Sequence, residues 1–342
     1  MNQEIIPGSS PAAKRLLTLD AVRGLAVIGM FIQHFALRPW SNFVSGNTMI
    51  LFILCSGISY SLMAQGMWRR GASAQAYAML FLLALPLVRC KTKVLIVISA
   101  ISFLACPSVM LIGMSLFEGA ALLSDIAGGP LSAVAWLPVF VTGMVIGCLN
   151  LRANKTAIWM AGIGVAVALP VKLFAVSALP EIYKFVWDLL SQMSSSAAMP
   201  DPNAPWPQNT ITPLWHMLFL DAPQGGSTFE LLIGTGGCMV LLAAALLFGK
   251  KLSWLYHPFA NVGKVALTLY SVQFVLAWIL MLCQIDPTSL AQFPGGDVLV
   301  VLITLIAGRA LSFRKNGPLE TAIRWFERQF YYEEKKEHET AA

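Results

Sequence analysis

Three ionisable side chains interrupt an otherwise apolar segment near the start of the chain, residues 19–35, which reads LDAVRGLAVIGMFIQHF. At about 100° per residue in an α-helix, Arg23 and His34 lie about 20° apart around the axis and about 16 Å apart along it. Asp20 lies three residues before Arg23 and falls on the same stripe. Because such groups are costly when they face lipid, the stripe is expected to face a bundle interior or a cavity.

The imidazole of His34 is the side chain in this segment that is best suited to chemistry. It can act as a general base or carry an acyl group transiently. His34 is also, of the four histidines, the one that lies in an apolar run. Simpler roles are open as well. Asp20 and Arg23 can form an ion pair at the helix end, and His34 can hydrogen-bond a neighbouring helix.

The composition indicates a polytopic membrane protein. Of 342 residues, 57% are hydrophobic and 12% are charged, whereas a soluble domain has about 25% charged residues. Apolar runs long enough to cross a bilayer recur along the chain, at 19–37, 47–65, 94–116, 132–149, 157–178, 228–248, 262–284 and 296–313. The sequence therefore predicts an all-α transmembrane helix bundle of about 8–9 spans.

The basic residues give this bundle a direction. They precede the first run or follow every second one, at Lys14/Arg15, Arg69/Arg70, Arg152/Lys155, Lys250/Lys251 and Arg314/Lys315. By the positive-inside rule both termini are predicted to be cytoplasmic, and the net charge of +6 is no sign of nucleic-acid binding. The short run 76–88, AYAMLFLLALPLV, has basic residues on both sides, which favours a re-entrant or interfacial segment over a crossing.

The same pattern divides the chain into five parts. Residues 1–18 form a cytoplasmic tail, 19–178 a first membrane half and 179–227 a hydrophilic outer loop. Residues 228–328 form a second membrane half that ends in an amphipathic helix on the membrane surface, and 329–342 form a charged, disordered tail. The six cysteines have no paired spacing, so neither a disulfide framework nor a metal site is predicted.

Glu230 is a second candidate for the chemistry. It begins the apolar run 228–248 at the predicted outer end, in the same leaflet as His34. A carboxylate there can orient or assist an imidazole. The alternative is an acidic residue at a helix N-terminus, where the helix dipole favours it.

Several segments, in order, resemble one family. RLLTLDAVRGLAVIGMFIQHF resembles the first-helix signature of the heparan-alpha-glucosaminide N-acetyltransferase-like, YeiB-like membrane proteins. It also has the Arg-x10-His spacing of bacterial membrane acyltransferases that modify surface sugars. Later segments are similar to further parts of the YeiB-like pattern, namely LFILCSGISYSL, GGPLSAVAWLPVFVTGMVIGCLNLR, STFELLIGTGG, HPFANVGKVALTLYSVQF and RKNGPLETAIRWF. The likeness covers most of residues 14–328.

The resemblance implies a transmembrane acyltransferase of the bacterial inner membrane. Characterised relatives take an acyl group from cytosolic acyl-CoA and deliver it to a sugar across the membrane, with the first-helix His at the chemistry. It implies acyl-CoA of the acetyl-CoA type as co-substrate, an envelope glycan or glycolipid as acceptor, membrane lipids as surroundings and no metal. A homodimer is left open.

An acyl-CoA donor would need cations for the phosphates of coenzyme A at the cytoplasmic end. Lys264 and Arg309 lie inside predicted spans near their inner ends. The candidate donor-binding set comprises these two residues and the cytoplasmic ends of the first two runs, that is Asp20, Arg23, Arg69, Arg70, Lys264 and Arg309. For Arg69 and Arg70 a purely topological role is the alternative.

Three departures from the family pattern bear on activity. Only residues 71–75 lie between the basic pair and AYAMLFLLALPLV, where the family usually has about two spans. Gln224 stands in PQGGST where relatives often show Pro-His-Ser, and Lys264 replaces the usual arginine. An inactive family member therefore stays open, as does a transporter or flippase for a lipid-linked or acidic solute, which a polar stripe suits equally well.

Overall fold

A computed structural model of the chain describes residues 16–68, 85–117, 121–129, 132–182, 184–185, 188, 218–249, 251–313, 317–323 and 325. Within these residues all regular structure is helical and there is no strand. The predicted all-α fold is confirmed.

The elements before the long loop are α1 (Leu17–Phe35), α2 (Asn47–Trp68), α3 (Leu85–Val88), α4 (Thr92–Leu116), α5 (Ala121–Ala127), α6 (Ala133–Gly147) and α7 (Asn154–Ser177). Those after it are α8 (Thr228–Phe248), α9 (Ser253–Lys264), α10 (Ala266–Leu282) and α11 (Gly296–Ser312). Two short 3-10 helices, Pro39–Val44 and Pro287–Gln292, lie in the connections that follow α1 and α10.

The protein is an integral membrane protein by the length and composition of its helices. Among the described residues, four stretches are long and apolar enough to cross a bilayer: Pro39–Leu62, Thr92–Met114, Asn154–Ser177 and Thr228–Phe248. A fifth is present if α9 and α10, which meet at a bend of 64°, are one span. Because α1 is not among them, its crossing stays a prediction, as do the total of eight to nine spans and the cytoplasmic termini.

Several sequence-predicted segments fall largely outside the described residues. Of the run 76–88, the part before Leu85 is not described, and the remainder contains the single turn α3. Most of the predicted outer loop, 179–227, and the whole charged tail, 329–342, also lie outside. The five-part division of the chain stays a prediction.

α1 and α2 are antiparallel neighbours, and contacts between them mark the two ends of the bundle. Arg23, near the start of α1, donates a hydrogen bond to Ser59 on α2. At the other end, Thr48, near the start of α2, donates to the side-chain oxygen of Gln33 over 3.3 Å. These two levels are called the Arg23 end and the His34 end.

Glycine lets α1 and α9 approach until their backbones touch. A Cβ added at Gly263 would overlap the carbonyl oxygen of Asp20, and one added at Gly24 would overlap that of Phe259. Small residues permit this close approach in membrane bundles generally. The contact fixes Lys264, the next residue after Gly263, at the level of Asp20.

We expect Gly263→Ala to separate α1 from α9 and to lower the free energy of unfolding by about 1–3 kcal/mol, as overpacking does. Thermal unfolding of the purified protein in detergent measures the effect. Gly162→Ala is the matched control, because a Cβ at Gly162 meets nothing within 4 Å. Equal melting temperatures for the two variants would contradict the assigned contact.

The predicted apolar run 262–284 is not one straight helix. It is broken at Val265, between α9 and α10. The carboxylate of Glu320 fills the break: its Oε1 accepts hydrogen bonds from the backbone N–H groups of Leu267 at 2.9 Å and Thr268 at 3.2 Å. The Thr268 hydroxyl donates to Oε2. The first N–H groups of a helix have no partner within it, so the C-terminal segment supplies the cap that α10 lacks.

Candidate functional site

The side chains of the α1 stripe point toward α2 and α10. Arg23 donates to Ser59 of α2. One turn before the end of α1, the sulfur of Met30 lies 3.9 Å from Nε2 of Gln273 on α10. The ring of His34 lies against Phe274 of the same helix, with 5.4 Å between ring centroids. Arg23 and His34 therefore share one side of α1, as residues eleven apart on a helix do.

Arg23 is a compensated charge inside the bundle. Its guanidinium lies 3.6 Å from the carboxylate of Asp20, and the side chains are 17% and 5% exposed, respectively. The Ser59 hydroxyl accepts from Arg23 and donates to the carbonyl oxygen of Cys55 over 2.7 Å. A buried ion that keeps hydrogen-bonding partners in this way is tolerated at low dielectric.

Two more cations lie at the Arg23 end. Nζ of Lys264 donates to Oδ1 of Asn261 over 3.5 Å, and Lys264 follows the glycine that touches Asp20. Arg309 follows Gly308, which packs against Val262 of α9.

The surroundings of Arg309 leave its charge available. Its guanidinium carbon lies 3.8 Å from the centroid of the Phe313 ring, and the residue is exposed. Arg23, Lys264 and Arg309 thus lie at one end of the bundle, whereas Arg69 and Arg70 lie outside the described residues.

A series of four aromatic rings leads from α2 to His34. Phe52 and Tyr270 are stacked, with centroids 5.1 Å apart and planes at 10°. Tyr270 meets Phe274 edge to face at 5.0 Å, and Phe274 meets His34 at 61°. The imidazole is half-buried at the end of this series. Its environment is therefore apolar on the α10 side.

Glu230 has a different environment from the one predicted for an assistant of His34. Its carboxylate oxygens accept hydrogen bonds from the backbone N–H groups of Gln224 at 2.6 Å and Gly226 at 2.8 Å. Its own N–H donates to Oγ of Ser227 over 2.9 Å. Across the described ranges no hydrogen bond joins Glu230 to His34. These contacts match the alternative role at a helix N-terminus, and the catalytic role of Glu230 stays a prediction.

The loop that contacts Glu230 contains one of the three departures from the family pattern, Gln224. This residue has a left-handed backbone conformation, with φ of 63°, and Gly226 has φ of 64°. The backbone amides of both residues point at one carboxylate. At this position the backbone amide of Gln224, rather than its side chain, contacts Glu230.

The partners of the stripe were not identified from the sequence. Ser59 sits in an apolar helix where any hydroxyl can bond its own backbone. Tyr270 and Phe274 are four residues apart and therefore share a face, but so do many aromatic residues that contact lipid. One feature of the sequence pointed to Glu320: its place in the Gly-Pro-Leu-Glu turn of the family pattern.

Metal and disulfide chemistry find no support in the described residues. No group of three His, Cys, Asp or Glu side chains there could hold a metal ion. The six cysteines are free thiols.

Comparison with known proteins shows that part of the chain is similar to a family. The model of a family described as "Protein of unknown function (DUF418)" matches residues 214–328. This region includes α8, α9, α10 and α11, and with them Lys264, Gln273 and Glu320. No curated protein and no solved structure matches the chain. The match over residues 214–328 is consistent with the YeiB-like family that the motifs of the chain resemble.

Proposed function

We propose that the protein is an integral-membrane acyltransferase that moves an acetyl-type group from acyl-CoA to a hydroxyl or amine of an envelope glycan or glycolipid. The observation that supports this best is the shared side of α1. A compensated guanidinium contacts α2 and an imidazole contacts α10, and helical spacing places the two groups on one stripe about 16 Å apart along the axis. A donor with phosphates at one end and a thioester at the other suits this arrangement.

The donor binds at the Arg23 end. Guanidinium and ammonium groups hold phosphate through charge-assisted hydrogen bonds, and Arg23, Lys264 and Arg309 supply three such groups there. In the proposed orientation this end faces the cytoplasm of a bacterium, where acyl-CoA is made. Arg69 and Arg70 complete the proposed set.

The transfer takes place at His34. Its imidazole takes the proton of the acceptor O–H or N–H, and the acceptor atom attacks the thioester carbonyl carbon. The C–S bond breaks, and the coenzyme A thiolate receives the proton from the imidazolium. The products are the acylated sugar and free coenzyme A. In an alternative mechanism the imidazole itself carries the acyl group between donor and acceptor.

A transporter or flippase is favoured by one observation, the break between α9 and α10. Broken helices in transporters direct free backbone groups at the substrate. Here Glu320 already occupies the N–H groups of Leu267 and Thr268, so two of the donors that a solute would use at this helix end are taken. The acyltransferase is therefore the better-supported function.

The test uses membranes from cells that produce the protein and from cells that lack it, supplied with acetyl-CoA labelled in the acetyl group. We expect label in the glycan or glycolipid fraction in the first case alone. Titration of purified protein with coenzyme A is expected to show saturable binding, which a solute carrier has no reason to show. Absence of both signals would overturn the proposed function.

A further inference from the structure

One buried polar side chain between the two ends of the stripe has unused hydrogen-bonding capacity. Gln273, on α10, is 1% exposed. Its Nε2 faces the thioether of Met30 at 3.9 Å, a weak acceptor. Its Oε1 is buried and has no hydrogen-bond partner in the part of the chain that the structure describes. Buried polar atoms are almost always hydrogen-bonded, so this carboxamide is expected to have a partner that is not part of the fold.

The position of Gln273 lies on the path between the cations and the imidazole. Met30, its neighbour on α1, comes seven residues after Arg23 and four before His34. Along the helix axis these separations are about 10 Å and about 6 Å. The residue after Gln273 is Phe274, whose ring contacts His34. The carboxamide is therefore one helical turn from the imidazole, on the side from which the donor is proposed to arrive.

The chemistry of the carboxamide limits the class of partner. Its oxygen requires an N–H or O–H donor, and its NH2 group has a second hydrogen that can reach an acceptor. A secondary amide carries one donor of this kind, its N–H, and one acceptor, its C=O. Tyr270 and Phe274, whose rings contact each other, lie within one turn of Gln273 on α10, so the rest of the partner at this level is expected to be apolar.

We infer that Gln273 binds an amide of the pantetheine arm of acyl-CoA, with its carbonyl oxygen accepting the amide N–H. This arm joins the phosphates of coenzyme A to the thioester, and its secondary amides lie between them. The contact holds the arm along α1 and presents the thioester to His34. The inference rests on the proposed function and adds to it a residue that recognises the donor.

The test is Gln273→Met, which keeps the length of the side chain and its contact with Met30 but removes the carboxamide. Calorimetric titration of the purified protein with coenzyme A is expected to show about 10-fold weaker binding, the effect of one lost hydrogen bond in a buried site. Adenosine 3′,5′-bisphosphate, which lacks the arm, is expected to bind the variant and the wild type equally. Gln292→Met, at an exposed glutamine of the second 3-10 helix, is the control.

The melting temperature without ligand separates recognition from a structural role. Because Gln273→Met removes a buried group without a partner, we expect the ligand-free variant to be at least as stable as the wild type. A clear fall in melting temperature would assign Gln273 to the fold and overturn the inference.

A comparison of two acetyl donors, one with the pantetheine amides and one without them, separates the inference from the proposed function. Loss of transfer is expected with acetyl-CoA but not with S-ethyl thioacetate, which has a thioester and no amide. Equal losses with both donors, or unchanged binding of coenzyme A, would overturn the role of Gln273 and leave the acyltransferase standing. Failure of the wild type to bind coenzyme A would overturn the inference, and if label transfer were absent as well it would overturn the proposed function.

Discussion

Replacement of His34 by alanine is expected to lower acyl transfer by about 100- to 10,000-fold, the usual contribution of a general acid–base group. The reason is that no other described residue of the stripe can take a proton from the acceptor: Asp20 lies beside Arg23, and Met30 is a thioether. Transfer is measured in membranes with labelled acetyl-CoA. Binding of coenzyme A, which is proposed to depend on the Arg23 end, should change little.

Two further variants decide between chemistry and packing at this position. His34→Gln keeps a hydrogen-bonding side chain without a basic nitrogen, so it should be as inactive as the alanine variant. His257→Ala, at an exposed histidine of α9, is the control and should transfer normally. If His34→Gln restored at least half of the wild-type rate, the imidazole would be a hydrogen-bonding group between helices, and the proposed mechanism would be wrong.

Replacement of Arg23 by methionine is expected to weaken the binding of coenzyme A by about 10- to 100-fold, the effect of one or two charge-assisted hydrogen bonds. The maximal rate at saturating acetyl-CoA should change much less, because the thioester reacts about 16 Å away along α1. Titration calorimetry and the KM for acetyl-CoA measure the two effects separately. Arg23→Lys should recover part of the affinity, since it keeps the charge but not the planar fork.

The fold must be checked beside this binding effect, because Arg23 also compensates the buried carboxylate of Asp20. The double variant Asp20→Asn, Arg23→Met removes both charges and avoids the cost of one buried ion on its own. It should bind coenzyme A as weakly as the single variant. Lys251→Met removes an exposed charge near the same end and is the control. A double variant with wild-type affinity would exclude Arg23 from the donor site.

The part of the site that could be predicted is the part governed by the cost of charge in a membrane. Asp20, Arg23 and His34 break an apolar run at helical spacing, so the side of α1 on which they lie could be worked out before any neighbour was known. The prediction that Lys264 and Arg309 lie near the same side of the membrane followed from the alternating directions of the helices. Both inferences use local periodicity and helix order, which the sequence contains directly.

The partners on α10 could not be predicted in this way. This helix is apolar on all sides, so its periodicity does not distinguish the face toward α1 from the face toward lipid. Gln273 looked like one of several polar residues that serve helix packing. Only the tertiary structure places it against Met30 and leaves its oxygen without a partner.

Glu230 illustrates a second limit. At the third position of α8 a carboxylate fits a helix cap and an acid–base group equally well. The contacts that the structure adds come from the preceding loop, where left-handed Gln224 and Gly226 direct their amides at the carboxylate. Such backbone conformations outside glycine are uncommon, and nothing in PQGGST specified one at Gln224.

The anchoring of Glu320 on the first turn of α10 means that the segment around Glu320 cannot be exchanged or removed independently of the bundle. A chimera that took its final thirty or so residues from a relative without this carboxylate would leave two amide hydrogens unsatisfied beside Lys264. Progressive shortening from this side is therefore expected to become harmful once Glu320 is removed.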